Sequence, residues 1–204
     1  MVTIKEQSIT KSLMTIGVFF LLLLTLVGCS QSEQSGDETT VKVEYNVEGD
    51  NKSINSITHV LKSEFTSPKQ KYNEILKNPQ NLINMDGKKV LNASNGSELY
   101  QYIEELYQPY FTNTGFDKFF VGSAFSYTMH SKDVQIKVAN ISITKNKDYK
   151  DDYDFVVDVK YKKVGSPEKK YQITGLATIP EEGKIGAITY LDDGGLMENI
   201  KKNS

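Results

Sequence analysis

Cys29 is the only cysteine among 204 residues and closes the run Leu26-Val27-Gly28-Cys29. Its thiol has no disulfide partner in the chain, and a thiol that follows an apolar run and a small residue is placed for attachment of a lipid. The other candidates for chemistry are the two histidines. His59 falls on the polar side of a helical repeat, where the spacing predicts a solvated surface side chain. His130 follows the alternating Phe125, Tyr127 and Met129, with Asp117 and Asp133 the nearest acids in sequence. A general acid–base pair there needs hydrogen-bond reach, which sequence proximity does not supply, and a surface histidine next to a turn is the favoured reading. Asp148, Asp151, Asp152 and Asp154, and then Asp192 and Asp193 before Gly194-Gly195, offer carboxylate oxygens of the kind calcium takes. The spacing lacks the glycine of an EF-hand loop, and Lys145, Lys147, Lys150 and Lys160 oppose a cation, so a solvated hairpin tip is expected. No glycine-rich phosphate loop, zinc spacing or nucleophile elbow occurs. Hence no catalytic, cofactor-binding or metal-binding residue is assigned, and an enzyme is not the favoured reading.

The elements around Cys29 have the order of an export signal. Lys5 and Lys11 outweigh Glu6, which makes the leading end positive, and Leu13 to Val27 carries no charge. That run is shorter than the roughly 18 to 20 residues a membrane-spanning helix needs, so residues 1–28 read as a signal peptide. The Leu-Val-Gly-Cys ending resembles the lipobox of bacterial lipoproteins. The resemblance implies a diacylglyceryl group on Cys29, acyl chains such as palmitate, cleavage just before it, and a mature chain held on the outer face of the cell membrane. Two acyl chains suffice for stable anchoring, at about 0.8 kcal/mol per buried methylene.

Beyond the signal, 22 basic residues face 25 acidic ones, a net charge of −3, and every basic residue is lysine. Near neutrality argues against a nucleic-acid partner or a polybasic membrane arm, and the lack of arginine removes the planar fork used for bidentate phosphate capture. Without disulfides the domain depends on its apolar core, and about 175 residues suffice for one. Ser30 to Thr40 has no apolar residue to bury and reads as a flexible tether. Val41, Val43, Tyr45 and Val47 alternate, as a lone strand or as part of that tether. The organisation expected is a lipidated cysteine and tether over 29–50 and a single domain over 51–204.

Within the domain, Ile54, Ile57, Val60, Leu61 and Phe65 recur at helical spacing, with Ser56, Thr58, Lys62 and Glu64 between them. Ser67, Pro68 and Gln70 predict a capped second helix to Lys77 that buries Tyr72, Ile75 and Leu76. Ser97 caps a helix over Glu98 to Tyr110, with Leu99, Tyr102, Ile103, Leu106, Tyr107 and Tyr110 on one face. An aromatic turn carries Phe116, Phe119 and Phe120. From Phe125 the period becomes two: Val134 to Ile143 with a phase slip near Val138-Ala139, then Phe155 to Tyr161, Tyr171 to Ile179, and Ile185, Ala187 and Thr189. Short connections make neighbours antiparallel, and helices preceding such a meander define an α+β domain.

This order over Ile54 to Leu191 resembles the NTF2-like domain of the cystatin-like folds, in which N-terminal helices lie in the concave face of a bent antiparallel sheet. With the lipobox, the chain is also similar to small lipoproteins of Gram-positive cells. In the NTF2-like family the cone between helices and sheet is either a filled core or a pocket. Two expectations follow: a membrane-anchored, extracytoplasmic binding or accessory module with a protein or cell-wall partner, or a small-ligand receptor or enzyme that uses the cone, with His130 and one acid as its pair. Tyr102, Tyr107, Tyr110, Tyr127, Tyr161, Tyr171 and Tyr190 either line a groove or pack the rim of the core, and packing is the simpler reading. Oligomeric state is not legible in the sequence.

Overall fold

The computed structural model describes residues 41–46, 50–128 and 134–202, all within a unit spanning residues 39–204. Cys29, and His130 with its neighbour Asp133, lie outside the described residues. The order of elements is β1 (Lys42–Asn46), α1 (Asn51–Glu64), α2 (Gln70–Lys77), β2 (Leu82–Met85), β3 (Lys88–Leu91), α3 (Glu98–Tyr107), α4 (Asn113–Gly122), β4 (Val134–Lys145), β5 (Asp152–Lys163), β6 (Lys169–Thr178), β7 (Ala187–Asp192) and α5 (Leu196–Lys202). Among the described residues, five helices and a mostly antiparallel sheet make an α+β fold.

The main sheet runs β1-β4-β5-β6-β7, and β4 through β7 form an antiparallel meander. Its register shifts between Val138 and Asn140, where the change of hydrophobic phase predicts a bulge. β1 is a correction to the expected organisation: Lys42 to Asn46 pair in parallel with Asn140 to Thr144, so these residues belong to the sheet and the folded region begins well before residue 51. Alternation buries Ile136, Val138, Ile141, Ile143, Phe155, Val157, Val159 and Ile173 on one face. The opposite face, with Lys137, Val156, Asp158, Lys160, Gln172 and Leu176, is half-buried or exposed.

The helices supply the other half of the core. Ile54, Ile57, Val60 and Leu61 of α1, Tyr72 and Ile75 of α2, Leu99, Ile103 and Tyr107 of α3, and Phe116 and Phe119 of α4 join the buried sheet residues in one cluster. Asp50 caps α1 by accepting from the Ser53 amide at 3.2 Å, and Ser97 caps α3 by accepting from Tyr100 at 3.1 Å.

Four local expectations are corrected, and one hairpin is added to the expected elements. Ser67 does not cap α2: its hydroxyl donates to the Val134 carbonyl at 3.3 Å, and its amide donates to Ile136 at 2.9 Å, which ties the α1–α2 link to β4. Phe116 and Phe119 lie on a helix, α4, capped by Thr112, which accepts from Gly115 at 3.0 Å. Phe125 and Tyr127 lie in turns rather than a strand. In β7 it is Ile188 and Tyr190, rather than Ala187 and Thr189, that face the core, one residue out of the expected phase. Finally, β2 and β3 form a separate hairpin around Asp86-Gly87, both at positive φ as the tight turn requires, which the sequence reading missed.

Candidate functional site

α1 delivers the most unusual side chain of the fold. Glu64 is two turns beyond Ile57, so it shares the apolar stripe rather than the polar face, and it is fully buried. Tyr107, at the end of α3, donates its hydroxyl to Glu64 Oε1 at 2.6 Å. The backbone amide of Phe125 donates to the same oxygen at 3.0 Å. Burial pushes the carboxyl up to about 7, against the two hydrogen bonds and the nearby Lys69 ammonium, which favour the charged form. Burial in turn lowers Lys69, partly offset by Glu64. The Lys69 ammonium lies 5.4 Å from the centre of the Phe125 ring.

Phe125 is the keystone of the arrangement. Its φ of 59° is left-handed, which a bulky residue adopts only when its surroundings impose it. Those surroundings are the Glu64 carboxyl on its amide and the rings of Tyr72, Tyr102 and Tyr107 at 5.2, 5.7 and 5.7 Å. One carboxyl oxygen thus joins the end of α1, the end of α3 and the connection that leads to β4.

On the sheet side of Glu64, Phe65 packs against Tyr127 at 4.8 Å and Tyr190 at 5.4 Å, and Tyr190 also meets Tyr127 and Phe155. Burial, followed by the nearby Glu64 carboxyl, holds the Tyr190 hydroxyl well above the usual phenol range; burial and the Asp193 carboxylate do the same for Tyr127. Among the described residues, Glu64 Oε2 and the Tyr190 hydroxyl are buried without a hydrogen-bond partner. The space between helices and sheet is therefore occupied by rings that enclose one acid able to titrate near neutral pH.

His59 is half-buried rather than solvated. Its ring stacks on Tyr110 with centroids 4.0 Å apart, and Nε2 donates to the Leu106 carbonyl at 3.2 Å. Burial lowers its pKa despite that bond, which leaves a neutral ring that pins α1 to the turn after α3. Asp117 is exposed on α4. In the first acidic stretch the turn is held by Asn146, which accepts the amides of Asp148 and Tyr149, while in the second Asp193 accepts those of Gly195 and Met197 at 2.9 and 3.0 Å, capping α5. Among the described residues no group of three or more His, Cys, Asp or Glu is placed to hold a metal ion. Tyr107, Tyr127 and Tyr161 are buried, and Tyr102, Tyr110, Tyr171 and Tyr190 are half-buried against the core. Tyr153, absent from that set, is fully buried and donates to Asp50. The signal for Glu64 was present in the sequence, since a spacing of seven from Ile57 returns a helix to the same face.

No protein-family model, curated protein or solved structure matches the chain. What can be said of function rests on the residues themselves.

Proposed function

We propose that this chain is a membrane-anchored extracytoplasmic lipoprotein whose domain, an NTF2-like cone, acts as a non-catalytic binding or accessory module. The observation that carries the non-catalytic reading is the enclosure of Glu64: the one strongly perturbed acid among the described residues is bonded to Tyr107 and Phe125 and roofed by aromatic rings. The anchor rests on Cys29 at the end of the apolar run. The test is intact-mass analysis of membrane fractions from cells that make the native chain or Cys29→Ala. The expected result is a mature chain that begins at residue 29 with a diacylglyceryl addition, lost together with membrane retention in the variant. An unmodified chain still held in the membrane would overturn the anchor.

A second reading, a small-ligand receptor, is favoured by the unpartnered Glu64 Oε2 and Tyr190 hydroxyl, which suit a small hydrogen-bond donor. It predicts that a bound donor raises the thermal midpoint of the native chain and leaves that of Glu64→Gln unchanged.

A further inference from the structure

We infer that the β5–β6 hairpin end of the sheet is a docking surface for the anionic phospholipid headgroups of the membrane that carries the Cys29 anchor. The inference rests on the anchor reading above.

Register places three lysines in one row across the outer face of the sheet. Lys137 stands opposite Lys160, and Lys160 opposite Lys170, with Lys162 next along β5 beside Gln135. Like charges directly opposite one another destabilise a sheet, and none of these four lysines belongs to an ion pair among the described residues. The hairpin they lead into reads Lys162-Lys163-Val164-Gly165-Ser166-Pro167-Glu168-Lys169-Lys170, and Val164 at its tip is 81% exposed. Lysines flanking an exposed apolar tip suit an interface where phosphates meet acyl chains. Beside the row, Lys160, Lys170, Asp158, Tyr171 and Gln172 line a depression of about 440 Å³. The Asp158 carboxylate there accepts from Gln172 at 3.0 Å and Asn140 at 3.5 Å. At the opposite end of the sheet Asp148, Asp151, Asp152 and Asp154 are interleaved with Lys145, Lys147 and Lys150, so charge there nearly balances. The lysine excess is thus confined to the β5–β6 end.

The direction of β1 selects the membrane as occupant. β1 is parallel to β4 and begins opposite Asn140, so its N-terminal end, with Val41, points to the side of Val134, Lys137 and the hairpin. From the level of Asn140 to that of Val134 is about 20 Å, whereas the segment from Cys29 to Lys42 reaches about 40 Å at full extension. The described chain therefore begins, at Val41, toward the basic end of the sheet, and the segment back to Cys29 is long enough for the tip to touch the headgroups.

The test uses the mature lipidated chain in vesicles of phosphatidylcholine with or without phosphatidylglycerol. With Cys29 acylated, a cysteine placed by Ser166→Cys is the only free thiol and takes an environment-sensitive fluorophore; Lys147→Cys reports on the opposite hairpin. The expected result is an emission shift at position 166, absent at 147, that requires phosphatidylglycerol and is lost in 1 M salt. In Lys137→Gln/Lys160→Gln/Lys162→Gln/Lys170→Gln the ratio of docked to free domain falls roughly fivefold per lysine removed. Lys162→Gln alone, at an exposed site, reports a single step should the quadruple variant not fold. Equal signals at both positions, a shift indifferent to phosphatidylglycerol, or the same shift with soluble polyphosphate would overturn the proposal. Mass analysis of the same samples separates the two readings: a lipidated chain without a lipid-dependent shift overturns the docking alone, and an unmodified chain that still docks overturns the anchor alone.

Discussion

The two faces of the sheet treat charge in opposite ways. On the inner face a single carboxyl, Glu64, is enclosed by Phe65, Tyr107, Phe125 and Tyr190, and its ionisation is pushed up to about 7 because water cannot reach it. On the outer face Lys137, Lys160 and Lys170 stand in a row with solvent to screen them. The inner charge therefore acts on stability, and the outer charges act on what the domain meets. A perturbed acid in the middle of a fold is as much a packing device as a sign of catalysis.

The comparison can be broken most directly by truncation. Phe65→Ala removes a fully buried ring and should lower unfolding free energy by about 3–5 kcal/mol, whereas Leu191→Ala on the outer face, 64% exposed, should stay within about 0.5 kcal/mol. Denaturant midpoints read both, and equal losses would end the distinction.

Next in size is the pH response of Glu64. Its folded pKa of about 7 lies above its ordinary value of 4.5, so stability is fully present below about pH 4.5 and falls as pH rises through 7. The difference is of order 3 kcal/mol at pH 8. Glu64→Gln keeps an acceptor for Tyr107 and Phe125, and should flatten the profile between pH 4.5 and 8. An unchanged profile would mean that the carboxyl is not the titrating group.

Gly175→Ala probes the inner face from the strand side. A Cβ there would clash with the Phe155 ring and the Thr189 carbonyl oxygen, so a loss of about 1–3 kcal/mol is expected. The smallest effect is Lys160→Gln, which removes like-charge opposition on both sides and should leave the unfolding free energy unchanged or raise it by a few tenths of a kcal/mol. A clear loss would show that the lysine row supports the sheet.

The parts of the fold legible in the sequence are those where one face is buried over many residues. α1, α3 and the long strands β4 to β6 show their periods, and the bulge appears as a phase slip at Val138-Ala139. The missed β2–β3 hairpin has no such face, since most of its residues are exposed and nothing alternates; only Asp86-Gly87 marked it. α5 spans seven residues, too few for two periods, and its cap Asp193 was read as part of an acidic cluster. Ser67 carries a sequence-level capping signature that the sheet outbids, because β4 offers it a carbonyl and an amide. Glu64 was hidden by residue type: the spacing put it inside, and its charge argued against that until Tyr107 and the Phe125 amide could be seen to receive it. Of the outer face, the lysines are visible in the sequence, but their alignment in one row depends on register.

β1 also has a bearing on the order in which the chain is assembled. Its partner in β4 lies roughly a hundred residues downstream, which makes this one of the most non-local pairings in the fold. β1 cannot be seated until most of the polypeptide has been synthesised and released. Under the export proposed above, β1 would cross the membrane unpaired, and the sheet would close only after the long β4 had followed.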